Sequence, residues 1–251
     1  MVRNLKITLA YDGSGFYGWQ VQPERATVQG TLAAAIERVT GAKILPQGSG
    51  RTDAGVHALA QVASCHVDAG IPTENLARAL NHVLPPAIRV LSVEEAGPEF
   101  HARKSACAKT YHYRVYSGEI CPPFLARYVY HHPYPLDEEA MRDAAAVVVG
   151  EHDFTSFAAV DPERGREEEE ASNVRTIYSS EWTREGEEFV YTVRGSGFLQ
   201  HMVRNLVGTF LLVGKGTLDR AGMKRILEAR DRSAAGPTAP ACGLYLLSVE
   251  Y

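Results

Sequence analysis

Two hydrophobic periods alternate along this chain, and their order leaves few folds open. Leu5, Ile7 and Leu9 alternate with Lys6 and Thr8, the two-residue period of a half-buried strand. After a glycine-rich turn, Val28, Leu32, Ile36 and Val39 fall on one helical face, with Thr27 placed to cap it. Residues 59–67 return to the strand pattern. Residues 74–84 read as a second helix, stopped by Pro85-Pro86, and Ile88 to Val93 as a third strand. The first hundred residues are therefore β-α-β-α-β.

The second half follows a similar order. Tyr111, Tyr113 and Val115 mark a strand over 109–117, and a helix is expected from near Asp137 to Gly150. Residues 174–184 and 188–195 form a predicted hairpin turning at Glu185-Gly186-Glu187. Helices over 200–213 and 219–230 precede a closing strand from Leu244 to Tyr251. This is an α+β pattern in two halves, 1–106 and 107–251, each with helices layered on a sheet.

Composition excludes several other classes. With 45% hydrophobic and 22% charged residues, the 251-residue chain is neither a disordered tail nor a coiled coil. No apolar run approaches the roughly 18 residues that cross a bilayer. Charges interrupt the N-terminal stretch where a signal peptide needs its apolar core, so a cytoplasmic location is expected. Four scattered cysteines without a C-x-x-C pair argue against a disulfide frame or zinc knuckle. The nine histidines lack metal-ligand spacing, so no metal is expected.

Charge is unevenly placed. The net charge of −4 equals that of residues 161–170 (D-P-E-R-G-R-E-E-E-E) alone, which hold six acids and two arginines. Residues 101–114 carry four Lys or Arg and no acid, and residues 194–225 carry six against the single Asp219. Local patches of this kind are what an anionic polymer would meet.

Three segments hold the candidate chemistry. Gly48 to His57 (G-S-G-R-T-D-A-G-V-H) places Arg51 and Asp53 two positions apart on a glycine-rich loop. Two readings stand for Asp53: a turn residue bonding its own backbone, or a carboxylate held for reaction. A phosphate-cradling P-loop is a worse fit, because no G-K-[ST] closes the motif. Arg204 lies in the middle of an otherwise apolar helix, where a buried guanidinium needs a carboxylate or a route to the surface. The strand K-T-Y-H-Y-R-V-Y (Lys109 to Tyr116) interleaves aromatic and basic residues, which suits base stacking with phosphate tracking or simply a sheet with an aromatic face.

Taken in order, seven blocks resemble the tRNA pseudouridine synthases of the pseudouridine synthase A family, which act on the anticodon arm. They are Y-D-G-S-G-F-Y-G-W-Q (Tyr11 to Gln20), G-S-G-R-T-D-A-G-V-H-A (Gly48 to Ala58) and L-N-H-V-L-P (Leu80 to Pro85). F-H-A-R with K-T-Y-H-Y (Phe100 to Tyr113) and G-E-H-D-F-T-S-F (Gly150 to Phe157) follow. G-F-L-Q-H-M-V-R-N-L-V-G (Gly197 to Gly208) and A-P-A-C-G-L-Y-L (Ala239 to Leu246) complete the set.

The resemblance implies a pseudouridine-synthase fold of two ferredoxin-like halves whose central mixed sheet borders a basic cleft. It implies a homodimer that modifies tRNA with no metal or cofactor. By the same resemblance Asp53 matches the catalytic aspartate, Tyr111 the active-site tyrosine and Arg204 its partner arginine. Arg51 matches an arginine of substrate engagement and base flipping, and Leu244 a residue lining the uridine pocket. Whether such an aspartate attacks C1′, attacks C6 or permits elimination stays open. Two rivals also stand: an RNA-binding module without catalysis, and a glycosidase, although that chemistry generally wants two carboxylates. The acidic segment 163–170 matches no family block and is expected to be a solvated insertion.

Overall fold

The computed structural model describes residues 2–159 and 172–251, so the acidic segment 163–170 lies outside the described residues. In chain order the strands are β1 (Arg3–Tyr11), β2 (Gln47–Gly48), β3 (His57–Val67), β4 (Ile88–Ala96) and β5 (Ala108–Tyr116). They continue with β6 (Tyr130–His131), β7 (Gly150–Asp153), β8 (Val174–Glu185), β9 (Glu188–Gly195) and β10 (Leu244–Glu250). The described α-helices are α1 (Val28–Thr40), α2 (Thr73–Val83), α3 (Glu138–Ala145), α4 (Met202–Gly214) and α5 (Arg220–Ala229). The class is mixed α+β, as the two periods require.

Contacts divide the chain into two compact units, one of Met1–Lys109 with Tyr245–Tyr251 and one of Thr110–Leu244. In the first unit the strands lie in the order β4-β1-β3, with β2 also paired to β3. All three pairings are antiparallel. With α1 and α2 as crossovers, this is the split β-α-β arrangement of a ferredoxin-like sheet. The C-terminal strand β10 adds a parallel pairing on β3, with Tyr245 opposite His57 and Leu246 opposite Ala58.

Local chemistry sets the helix limits in this unit. The Thr27 hydroxyl accepts from the Gly30 N–H at 3.3 Å and starts α1. Gly41, at φ 75°, ends it in a left-handed cap. Leu5, Ile7 and Leu9 of β1 are fully buried together with Leu32 and Ile36 of α1 and Leu76 and Leu80 of α2.

In the second unit the order is β5-β9-β8-β7. The β8–β9 hairpin pairs Glu185 with Glu188 and turns at Gly186, whose φ is 63°. Its core gathers Trp182, Tyr191 and Phe210, with ring centroids 5.1–6.2 Å apart. Asp137 and Asp219 cap α3 and α5, accepting from the N–H groups of Ala140 and Gly222.

Two expected boundaries move. The helix predicted to reach Gly150 stops at Ala145, passes through one 3₁₀ turn over Ala146–Val148, and yields to β7. Of the three valines Val147 to Val149, only Val149 is extended, and Gly150 at φ 109° starts the strand. The helix predicted from residue 200 begins at Met202, because His201 adopts a left-handed φ of 58°.

His132 is 3% exposed, and burial lowers its pKa from the ordinary value of 6.5, with Lys215 and His131 adding to the effect. His112 is lowered too, again chiefly by burial. A base whose folded pKa is depressed binds its proton more readily when the chain unfolds, so stability is lost as pH falls below the unfolded pKa. Thermal unfolding followed between pH 7.5 and 5 should show a falling Tm below about pH 6.5. His132→Gln should flatten that dependence. A wild-type Tm constant over this range would contradict the burial effect.

Candidate active site

The loop carrying Asp53 is fixed from beneath by the segment that follows β1. The Trp19 N–H donates to the Thr52 carbonyl at 3.0 Å, and the Gly55 N–H donates to the Phe16 carbonyl at 3.2 Å. Asp53 therefore sits between two backbone anchors on one neighbouring segment. The Val56 N–H donates to the Asp53 carbonyl at 3.1 Å and closes the turn.

Gly18 makes this close approach possible. Its φ is 83°, and a Cβ there would lie 2.5 Å from the Thr52 oxygen and 3.1 Å from the Asp53 carbonyl carbon. Both the left-handed backbone and the missing side chain are needed.

Side chains brace the same loop. The Tyr11 hydroxyl lies 2.8 Å from the Thr52 hydroxyl, next in sequence to Asp53. Gln61 donates to the Gly50 carbonyl at 3.0 Å and accepts from the Ser49 hydroxyl at 2.6 Å. The Lys109 ammonium donates to the Ser49 carbonyl at 2.7 Å. Tyr11 is buried, and burial pushes its phenol up to about 12, so it stays protonated as a neutral brace. At the far end of the loop His57 stacks on Tyr245, with ring centroids 4.8 Å apart. Its Nδ1 accepts from the Gly13 N–H at 3.1 Å and lies 3.3 Å from the Asp12 carboxylate.

Arg51 and Asp53 share this loop; Arg51 is exposed and Asp53 half-buried. Tyr111, Arg204 and Leu244 belong to the second unit. Tyr111 is buried on β5 and meets Phe198 edge-on, with centroids 5.0 Å apart. Leu244, also buried, is the first residue of β10.

Arg204 is half-buried on a helix of which eleven of thirteen residues are buried. Its Nε donates to the Ala239 carbonyl at 2.8 Å, and the Ala239 N–H donates back to the Arg204 carbonyl at 3.1 Å. The guanidinium is thus positioned by a two-way clamp on the A-P-A-C-G segment. That segment is held from the sheet as well, since the Tyr113 hydroxyl donates to the Pro240 carbonyl at 2.7 Å. Burial raises the Tyr113 phenol, and Arg204 partly opposes the rise, which puts the guanidinium within electrostatic reach of β5. The close fit of α4 depends on Gly208, where any Cβ would run into the Pro237 carbonyl.

The second unit therefore gathers Arg204 and the Tyr111–Tyr113 strand around one segment, while the first unit holds Arg51 and Asp53. A separate hollow of about 800 Å³, lined by residues including His152, Asp153, Arg220, Lys224 and Arg230, includes none of the five. Sequence reasoning missed the braces Tyr11, Gln61 and Lys109 and the clamp at Ala239. The signal available was the Tyr11–Gln20 block itself, whose aromatic and glycine spacing turns out to be the underside of the Asp53 loop.

The sequence profile of the family described as "tRNA pseudouridine synthase" matches residues 7–103 and 144–251. A tRNA pseudouridine synthase A from Solibacter usitatus is 53% identical over 250 residues, covering all of both chains. Relatives bearing the same description occur in Moorella thermoacetica, at 48% identity over 98% of this chain and 99% of that one, and in Caldicellulosiruptor bescii, at 42% over the whole of both.

Gly18→Ala should shift the backbone under Asp53. Left-handed strain at a non-glycine residue costs about 1–3 kcal/mol, so a Tm several degrees below wild type is expected, with reduced turnover. Calorimetry beside an activity assay reads both, and an unchanged Tm would show that the two segments approach less closely than described.

Proposed function

The chain belongs to the tRNA pseudouridine synthase family, and from that premise we propose that it acts on the anticodon arm, with Asp53 as nucleophile. It is an isomerase that converts uridine to pseudouridine in tRNA. The observation that carries the assignment of Asp53 is its mounting: a half-buried carboxylate on a loop anchored on both sides and braced by buried polar side chains. An aspartate that merely shaped a turn would need no such support.

The reaction breaks the N1–C1′ bond, rotates the uracil and joins C5 to C1′. C5 loses its proton and N1 ends protonated, so atoms balance without an oxidant or a second substrate. A base inside a stem is out of reach, and extruding it costs a few kcal/mol. Cations in the stretches 101–114 and 194–225 supply phosphate contacts that offset this cost. Arg51, exposed two residues before Asp53, fills the space the base vacates. Tyr111 stacks on the uracil, held edge-on by Phe198, and assists removal of the C5 proton. Arg204 provides the fixed positive charge that favours an ionised nucleophile, and Leu244 lines the uridine pocket. The enzyme works in the cytoplasm as a homodimer and uses no metal or cofactor.

Asp53→Asn keeps shape and removes charge. With tRNA carrying tritium at uracil C5, wild type should release tritium to water without loss of the base. The variant should release none while binding tRNA within a few fold of wild type. Turnover near the wild-type rate would remove Asp53 from the mechanism.

An anticodon arm is an A-form hairpin, read by shape and backbone charge rather than through its deep major groove. Each neutralised phosphate should contribute a logarithmic salt slope of about −0.7 to −0.9. Affinity should therefore fall steeply with salt although the protein is acidic overall, and light scattering should give the mass of a dimer. A flat salt dependence, or a fully active monomer, would refute this account of substrate holding.

A further inference from the structure

We propose that Tyr17 and Arg25 form a stacking platform for an unpaired nucleotide of the RNA substrate, flanking the uridine presented to Asp53. This rests on the reading that the chain modifies tRNA. The Arg25 guanidinium carbon lies 4.2 Å from the centroid of the Tyr17 ring. Both side chains are exposed, Tyr17 by 48%.

The platform is built rather than incidental. Tyr17 lies between Phe16 and Gly18, both of which touch the Asp53 loop, through the Phe16 carbonyl and the Gly18 backbone. Its own N–H donates to the Ala26 carbonyl at 2.8 Å, and the Gln22 amide donates to its carbonyl at 3.3 Å. Between these ties Glu24 takes a left-handed φ of 57°, strain that the returning loop must hold in order to bring Arg25 back over the ring. An exposed cation–π pair adds little to stability, so this geometry serves poorly as a fold staple.

What it offers is an exposed guanidinium within 4.2 Å of an exposed aromatic ring, a pair that carries a ring, a cationic plane and N–H donors together. Unpaired bases stack on guanidinium planes and aromatic rings, and the edge donors suit phosphate. One nucleotide supplies both partners. Because the platform and the Asp53 loop share one backbone scaffold, a nucleotide held here fixes the register of its neighbour at Asp53.

The test compares Tyr17→Ala, Arg25→Ala, Tyr17→Phe and Arg25→Lys with wild type and Asp53→Asn. Tritium release from an anticodon stem-loop and from whole tRNA, RNA affinity and Tm are measured. Loss of one base stack should raise KM and Kd by about fivefold to 150-fold in both alanine variants, with kcat within twofold and Tm unchanged. Tyr17→Phe should restore wild-type values, and Arg25→Lys should recover only part, since it keeps charge but loses the plane. Wild-type KM in the alanine variants, full recovery by lysine, or a Tm loss parallel to the KM rise would overturn the proposal. If wild type binds RNA through these two residues yet releases no tritium, the modification reading fails and the platform stands. A wild type that binds no RNA sinks both.

Discussion

A carboxylate on a glycine-rich loop is aimed only as well as the backbone beneath it, and here that backbone is another stretch of chain. The contact of Gly18 with Thr52 and Asp53 is the constraint on which the first unit's site depends. Because Gly18 brings no side chain and accepts a left-handed φ, main chain meets main chain, and the N–H of Trp19 and carbonyl of Phe16 reach the loop. Backbone hydrogen bonds lack the rotamer freedom of side-chain contacts, so a loop held this way loses little entropy when substrate arrives. The buried Tyr11, Gln61 and Ser49 groups add a satisfied polar network under the same residues, rigid because each member has a partner.

The second unit solves the equivalent problem with a helix. α4 is buried almost all round, which fixes its position but would strand a cation in its middle. Arg204 meets that cost at a half-buried place, donating to a backbone carbonyl of a segment that is tied in turn to Asn205 and Thr209. The Thr238 hydroxyl donates to the Asn205 side chain at 2.7 Å, and the Gly236 N–H donates to the Thr209 hydroxyl at 3.0 Å. The apolar face of the helix supplies stability, while its few polar residues fix the neighbouring segment in register. That hydrogen bond to Ala239 holds the direction of the Arg204 guanidinium at the end of its stem.

Much of this was legible in one dimension. The alternation of β1, the apolar faces of α1 and α2, the Thr27 cap and the Gly186 turn follow from residue spacing, because strand and helix periods and cap hydrogen bonds are local. The limits of α3 and α4 were less so. α3 stops at Ala145 and passes through a 3₁₀ turn before Gly150, and α4 begins only after the left-handed His201.

The sequence by itself determined the α+β class, the helix and strand faces, the family and the residue types able to do the chemistry, since each is written in neighbours a few positions apart or in motifs carried intact. Tertiary structure decided the rest. It returned the last strand to pair with β3, set the Tyr11–Gln20 block under the Asp53 loop, and clamped Arg204 to Ala239. These contacts join residues about 35 to nearly 200 positions apart. No local spacing encodes them, because they exist only once burial of the two cores has brought distant segments together and left each backbone donor to find the acceptor that folding places beside it.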